Sequence, residues 1–265
     1  MNISIITINF NNKEGLKKTI QSVVNQRYDD FEYIIIDGAS TDGSVKVIEE
    51  EKDKITYYVS EPDKGIYDAM NKGIKQAKGE YCLFLNSGDY FINENTLAEI
   101  FNGQTYTEEL LIGRQKYIDS NGKITKSPYI RASELNMPYF ISSTLPHQAT
   151  FIKKELLLQC GMYNTNYRIV SDWIFWIEAI VKQQCSVKIL PNYVSFMETG
   201  GVSNDMSKCY KEMELYLSDC LKDGSLKWGD IFLCAKQSRS YVIATRNKIG
   251  NFIQNILVKI NKHIR

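Results

Sequence analysis

The sequence predicts an α/β protein in which a mostly parallel central sheet is flanked by helices and followed by a C-terminal helical extension. Two observations favour this class. Strand-like and helix-like segments alternate through residues 3–85, and the strand-like segments are apolar along their whole length. Continuous apolar strands separated by helices are typical of parallel strands that are buried on both faces.

Each element of the first half follows from its own pattern. Strands are expected at I-S-I-I-T-I (3–8), E-Y-I-I-I-D (32–37), I-T-Y-Y-V (55–59) and E-Y-C-L-F-L (80–85). The first helix is predicted from apolar residues that recur on one helical face, namely Leu16, Ile20, Val23 and Val24. Further helices are expected at residues 44–51 and 66–78. This order predicts successive βαβ units.

The pattern changes at about residue 105, where short alternating strands and turns replace the βαβ order. A strand is expected at 110–118, and the irregular segment beyond it contains Pro128, Pro138 and Pro146. Helices are predicted at 153–160 and 172–181, ahead of a strand-like S-V-K-I-L and the turn T-G-G-V-S. We therefore expect one domain with two halves, 1–105 and 106–222, and an extension at 223–265.

The extension is basic and amphipathic. From Lys227 to Arg265 the only acidic residue is Asp230, against eight lysines and arginines. Apolar residues at helical spacing form one stripe: Ile249, Phe252, Ile253, Ile256, Leu257, Ile260 and Ile264. Such a helix either packs on the body of the protein or lies, through residues 245–265, on an anionic membrane surface. The sequence leaves both interpretations open.

Composition limits the class of partner. The chain has 265 residues, of which 43% are hydrophobic and 24% charged, as in ordinary globular proteins. A net charge of +1 gives no general attraction to polyanions, so no nucleic-acid partner is expected.

Cysteine usage and apolar segments limit the compartment. The six cysteines lie far apart, with no C-x-x-C pair, so neither a zinc site nor a disulfide framework is indicated. A reduced, cytoplasmic compartment is the simplest expectation, with a peripheral position on the inner face of the cell membrane if residues 245–265 bind lipid. The N-terminus lacks the basic segment of a signal peptide, and no apolar stretch is long enough to span a bilayer.

Polar side chains follow three of the predicted strands. Thr7 and Asn9 end the first strand, Asp37 ends the second, and Asp89 follows the strand at 80–85. In open α/β sheets, ligands bind beyond the carboxyl ends of the strands. Asp37 is either a turn residue before the next helix or an acceptor for a nucleotide base or ribose. Neither G-x-G-x-x-G nor a P-loop occurs, which weakens a dinucleotide or P-loop interpretation.

Asp89 stands alone at the end of L-F-L-N-S-G-D. It is either a loop acid ahead of two aromatic residues or an oxygen ligand for Mg²⁺ or Mn²⁺. Divalent ions at phosphate sites use one or two protein carboxylates, while waters and substrate phosphates complete the shell. One aspartate is therefore sufficient for this role.

Three sequence blocks together carry a resemblance to a known family. They are I-I-T-I-N-F-N, then E-Y-I-I-I-D-G-A-S-T-D-G-S, then S-E-P-D-K-G-I-Y-D-A-M-N-K-G-I-K-Q-A-K-G-E-Y-C-L-F-L-N-S-G-D. In combination they resemble family two glycosyltransferases, nucleotide-sugar enzymes with a Rossmann-like GT-A-type fold. The segments at 147–151, 168–173 and 200–203 extend the resemblance to about residue 205. They also match the branch that builds bacterial capsule, O-antigen and exopolysaccharide.

The resemblance implies that residues 1–105 bind the nucleotide-sugar donor and residues 106–222 the acceptor. The implied donor-binding residues are Thr7, Asn9, Asp37, Asp63, Lys64, Asp68, Asn86 and Ser87. The first three would hold the base and ribose, with Asp37 accepting from uracil. The segment that carries Asp63, Lys64 and Asp68 closes over the nucleotide in such enzymes.

The resemblance also implies the catalytic groups. Asp89 matches the last acid of the family's D-x-D-like motif and would bind the Mn²⁺ or Mg²⁺ that bridges the diphosphate. Asp172 stands where the family keeps its general base, although S-D-W-I-F-W is also a plain helix start with an acid at the positive end of the dipole. His147 and Trp173 are candidates for the acceptor side. For Trp173, packing in the core is the alternative.

The chain departs from the family pattern at two points. The acids that usually precede the final Asp are here Asn86 and Gly88, so Asp89 is the only carboxylate of that motif. The frequent A-R-N is here A-M-N, with Met70 in place of a base- or phosphate-contacting arginine. Both departures bear on the strength of donor binding.

The function that the resemblance implies is inverting transfer of a sugar, expected from a UDP-sugar, to a hydroxyl. The acceptor would be a glycan or a polyprenyl-diphosphate-linked precursor of cell-surface polysaccharide. Two other classes of function are alternatives. A sugar nucleotidyltransferase usually shows a G-x-G-x-R-L-type loop, which is absent. A non-catalytic nucleotide- or glycan-binding module is disfavoured by the retention of Asp37, Asp89 and Asp172. The segment 200–203 would be a mobile loop over the diphosphate or a simple turn.

Overall fold

A single mixed sheet organises the part of the chain that the computed structural model describes, residues 2–198 and 206–227. Its strands are β1 (Ile3–Asn9), β2 (Phe31–Asp37), β3 (Tyr57–Ser60), β4 (Tyr81–Phe84), β5 (Tyr90–Phe91), β6 (Leu110–Ile118), β7 (Ile124–Lys126), β8 (Thr150–Lys153) and β9 (Val187–Glu198). Their order across the sheet is β3-β2-β1-β4-β8-β6-β9-β5, with β7 paired to β6.

Helices cover this sheet. They are α1 (Lys13–Val24), α2 (Ser44–Glu50), α3 (Ile66–Gln76), α4 (Thr96–Phe101), α5 (Met137–Ser142), α6 (Lys154–Gln159), α7 (Ser171–Trp176) and α8 (Met206–Lys222). Beyond its last residue, α7 continues as a π-helical segment, Ile177–Lys182. No helix in the described ranges is long and apolar enough to cross a membrane.

Strands β1 to β4 of the first half pair with one another in parallel, as their apolar runs predict. β1 pairs with both β2 and β4, and β3 adds to β2. Alternate isoleucines of β1 enter different cores, since Ile5 packs on the α1 side while Ile6 packs on the α3 side. A Cβ at Gly73 of α3 would lie 2.4 Å from a methyl group of Ile6, so glycine lets this helix approach the sheet closely.

The second half adds antiparallel pairs. β8 joins β4 to β6 in antiparallel fashion on both sides, whereas β6 and β9 run parallel. The strand predicted at the S-V-K-I-L segment is longer than expected and continues to Glu198. The α/β class with helices on both faces is confirmed. The predicted extension helix at 245–265 lies outside the described residues.

Candidate active site

The turn that follows β4 sets the position of Asp89. The Asp89 amide donates to the carbonyl of Asn86 over 2.8 Å, which closes a four-residue turn. Gly88 has a φ of 107°, in the left-handed region that glycine adopts without strain. The small residues ahead of Asp89 therefore permit a tight reversal at the carboxyl end of the strand.

Two residues of the first βα segment hold this turn in place. Thr19 is fully buried on α1, and its hydroxyl donates to the Asp89 carbonyl over 2.7 Å while accepting from the Gly88 amide at 3.0 Å. The Asn12 amide donates to the Ser87 carbonyl over 2.9 Å. Neither residue was identified from sequence, because Thr19 resembles ordinary packing on an otherwise apolar helix face and Asn12 resembles an ordinary helix cap.

The Asp89 carboxylate is buried, and no lysine or arginine of the described residues is among the groups that set its pKa. Its side chain is 6% exposed, and Oδ2 accepts from the Asn86 amide at 3.2 Å. Burial raises the pKa of Asp89 to about 7, although the field of His147, the Gln148 amide and the Asn86 N–H each lower it. A buried carboxylate of this kind is costly to ionise unless a cation neutralises it.

The residues at this turn fit a divalent cation held by one carboxylate. Oδ1 of Asn86 is buried without a hydrogen-bond partner in the described part of the chain, and it supplies a second oxygen close to Asp89. Among residues 2–198 and 206–227 there is no cluster of three or more acidic, histidine or cysteine side chains with metal-binding geometry. The set therefore suits an ion whose remaining ligands come from a diphosphate and water.

His147 connects the Asp89 turn to Asp172. His147 begins a short 3₁₀ turn, His147–Ala149, and its Nδ1 lies 3.1 Å from Oδ2 of Asp172. Its Nε2 lies 3.3 Å from the side-chain nitrogen of Asn86. With the amide in this orientation, Nε2 accepts, so Nδ1 carries the hydrogen and donates to Asp172.

Asp172 lies in the first turn of α7 and is held at both oxygens. Oδ1 accepts from the Trp173 amide at 2.9 Å and lies 2.8 Å from the Tyr67 hydroxyl, which is also 2.7 Å from the carbonyl of Ile169. Burial alone would raise the pKa of Asp172, but the hydrogen bond and field of His147, with the Tyr67 hydroxyl, outweigh it and lower that pKa. Asp172 is therefore ionised at neutral pH, the form that accepts a proton.

Asp37 lies fully buried at the end of β2, and donors saturate its two oxygens. Asn9 donates to Oδ1 over 2.7 Å from the paired position of β1. The Ser40 hydroxyl also donates to Oδ1, over 2.6 Å, whereas the Ser40 amide and the Ser60 hydroxyl donate to Oδ2 over 2.9 and 2.6 Å. A base that binds directly to Asp37 would have to share or replace one of these donors.

The remaining donor-side candidates separate into two groups. Thr7 is fully buried, and its hydroxyl lies 3.0 Å from that of Tyr33, one step deeper on the strand face that carries Asn9. Asp63, Lys64 and Asp68 instead line an open cavity of about 380 Å³. The structure brings these three residues together and leaves Thr7 in the core.

The cavity at Asp63, Lys64 and Asp68 also includes Tyr67 and Arg168. The Asp68 carboxylate accepts from the Lys64 amide over 2.9 Å, at the start of α3. Tyr67, which lines this cavity, is also the residue whose hydroxyl contacts Asp172.

A second cavity, of about 250 Å³, opens against His147 and Asp172. Trp173, the other acceptor-side candidate, forms part of its wall and is 2% exposed. The indole N–H of Trp173 donates to the Phe140 carbonyl over 2.6 Å. The ring of Trp173 thus packs in the core and also borders this cavity, and its acceptor-side role stays a prediction. The loop candidates at 200–203 lie outside the described residues.

Solved structures with the same fold identify the class. A fragment of TarS from Staphylococcus aureus, solved with UDP-GlcNAc, superimposes with a TM-score of 0.64 at 19% identity, over 81% of this chain and 65% of that one. A mannosyltransferase from Pyrobaculum calidifontis, solved with GDP-Man and Mn²⁺, gives 0.63 at 13% identity, over 97% and 86%. The fold is thus that of GT-A glycosyltransferases.

Sequence comparison identifies the family. Residues 4–165 match the family described as Glycosyl transferase family 2. An uncharacterized glycosyltransferase of Mycobacterium tuberculosis is 34% identical over 269 residues, which cover 98% of each chain. The chain belongs to glycosyl transferase family 2.

Proposed function

We propose that this glycosyltransferase transfers a sugar from a UDP-sugar to a hydroxyl, with inversion, during synthesis of a cell-surface polysaccharide. The proposed acceptor is a glycan or a polyprenyl-diphosphate-linked oligosaccharide. The observation that carries the proposal is the position of Asp172, an ionised carboxylate that lines the cavity at His147 and is hydrogen-bonded to His147 and Tyr67. A base that lines a cavity in this way can meet the hydroxyl of an acceptor bound there.

The proposed transfer is a single displacement. Asp172 takes the proton of the acceptor hydroxyl as that oxygen forms a bond to the anomeric carbon. The bond between the anomeric carbon and the diphosphate oxygen breaks on the opposite face, and its electron pair leaves with UDP. Attack opposite the leaving group inverts the anomeric configuration.

Asp89 would hold a divalent cation, with Asn86 Oδ1 as a neighbouring oxygen. A cation bound there supplies Lewis-acid charge for the departing diphosphate. His147 has a positioning role in this scheme, because its Nδ1–H orients Asp172 while its Nε2 is held by the turn that carries Asp89. The proposal thus gives His147 a task different from direct contact with the acceptor.

The experiment is nucleoside-diphosphate release from a panel of UDP- and GDP-sugars, with and without Mn²⁺. We expect release from one UDP-sugar that depends on the metal, is lost in Asp89→Ala and falls in Asp172→Asn. Release that neither substitution changes would contradict the assignment of both residues.

A further inference from the structure

The cavity beside the proposed base is mostly apolar. Its volume is about 250 Å³, and His147 and Asp172 form part of its lining. The other walls are built chiefly from aliphatic, methionine and indole side chains, including Ile141, Leu145, Val170, Trp173, Met197 and Met213.

Several polar groups on the cavity wall are already used within the protein. The Trp173 indole donates to the Phe140 carbonyl, so the ring offers the cavity an apolar surface. The Gln148 amide donates to the sulfur of Met197 over 3.2 Å, and the Ser142 hydroxyl donates to a backbone carbonyl of its own helix over 3.1 Å. These three polar groups therefore offer a ligand little further hydrogen bonding, whereas the lining also contains the charged carboxylate of Asp172.

An apolar lining of this kind favours apolar ligand groups over groups that carry hydroxyls. A hydroxyl that loses its water and finds no partner weakens binding roughly five- to hundredfold. Each methylene that enters an apolar site strengthens binding about fourfold. A sugar ring with several hydroxyls is thus a poor occupant of the apolar part of the lining, whereas an aryl or alkyl group is a good one.

We propose that this cavity binds an apolar group of the acceptor, attached close to the hydroxyl that Asp172 deprotonates. The inference rests on the proposed function, since it takes Asp172 as the base. An apolar cavity of about 150 Å³ is already enough to bind benzene. The larger volume here accommodates an aromatic ring or a short alkyl chain together with the reacting hydroxyl. The acceptor is therefore amphipathic at its reacting end.

The test measures binding of glucose and of methyl, pentyl and phenyl β-glucosides by calorimetry, with and without saturating UDP and Mn²⁺. We expect the phenyl or pentyl glucoside to bind at least tenfold more tightly than the methyl glucoside. A phenyl preference would indicate an aromatic acceptor, and a pentyl preference an alkyl-bearing one.

Two matched variants locate the effect. Ser143 is exposed at the edge of the cavity, so Ser143→Phe places a ring in it. Gln104→Phe adds the same ring at an exposed position that lines neither described cavity. We expect the aglycone preference to fall below threefold in Ser143→Phe and to persist in Gln104→Phe.

Equal affinity for all four sugars in the wild-type protein would overturn the inference, as would a preference that Ser143→Phe leaves unchanged. UDP titration of the same samples distinguishes a failure of this inference from a failure of the proposed function. A protein that binds UDP normally but shows no aglycone preference refutes only the apolar acceptor group. Absence of UDP binding would instead count against the proposed function.

Discussion

The Nδ1 atom of His147 lies 3.1 Å from Oδ2 of Asp172. These residues come from different segments of the second half, and the opposite nitrogen of the same ring contacts Asn86 in the turn after β4. The proposed base and the proposed metal-binding turn are therefore joined through one imidazole. A change at His147 should consequently alter proton transfer more than donor affinity.

We predict that His147→Ala lowers kcat roughly tenfold or more while the donor KM changes little. Loss of the imidazole removes the hydrogen bond that lowers the pKa of Asp172, whereas burial, which raises that pKa, remains. Because the base must be deprotonated, the acidic limb of the pH profile of kcat/KM should move to higher pH. His147→Asn, whose amide can still donate towards Asp172, should retain more activity. Identical pH profiles for wild type and His147→Ala would contradict the positioning role.

Removal of the Tyr67 hydroxyl should lower kcat, whereas removal of the hydroxyl of the neighbouring Tyr163 should not. Tyr67→Phe removes a donor 2.8 Å from Asp172, and we expect kcat to fall severalfold and stability to fall by about 1 kcal/mol. Tyr163→Phe is the matched control, because the two rings pack with centroids 5.4 Å apart and the buried Tyr163 hydroxyl has no partner among the residues that the structure describes. Equal loss of kcat in both variants would show that the effect comes from the aromatic packing instead.

The burial of Asp89 predicts an unusual pH dependence of stability for the metal-free protein. The pKa of Asp89 is about 7 in the folded chain, against an ordinary value of 3.8 for an aspartate side chain. Between these values the folded state binds more protons than the unfolded state, so stability falls as pH rises from about 4 to about 7. A shift of this size corresponds to a few kcal/mol.

Asp89→Asn should remove this contribution. We expect the melting temperature of the wild-type protein, measured in a chelator, to fall relative to that of Asp89→Asn as pH rises through this window. Parallel curves for the two proteins would contradict the assigned shift.

The hydrogen bonds around Asp37 are expected to stabilise the end of β2. Ser60→Ala removes a donor 2.6 Å from a fully buried carboxylate, and we expect a loss of about 2 kcal/mol in unfolding free energy with weaker UDP binding. Ser120→Ala, in an exposed turn, provides the comparison and should change neither quantity. Denaturant unfolding measures the stability of both variants, and UDP titration measures their affinity for UDP. Indistinguishable results for the two variants would contradict a role for Ser60 in stabilising Asp37.

The sheet edge at Asn9 and Asp37 could be predicted from sequence because it follows from local pattern. Apolar runs identified β1 and β2, and parallel pairing then places the residues that end both strands side by side. The same strand alternation explains why Thr7 is buried beneath Asn9. Short elements such as β5 and β8 carry too few residues for a periodic signal.

The link from Asn86 through His147 to Asp172 could not be predicted in the same way. It joins the turn after β4, a 3₁₀ turn and the start of α7, and no periodicity relates these segments to one another. Family resemblance identified all three residues as candidates, but their mutual contacts depend on how β8 brings the second half against β4. The role of Tyr67 was missed for the same reason.

The central claim is that Asp172 removes the proton of the acceptor. The most direct measurement compares wild type and Asp172→Asn for sugar transfer to acceptor at saturating donor, together with UDP affinity for each. We predict that transfer falls by about 10²–10⁴-fold, the usual contribution of a general base, while UDP affinity stays within about twofold. Transfer by Asp172→Asn within a few fold of the wild-type rate would contradict the account.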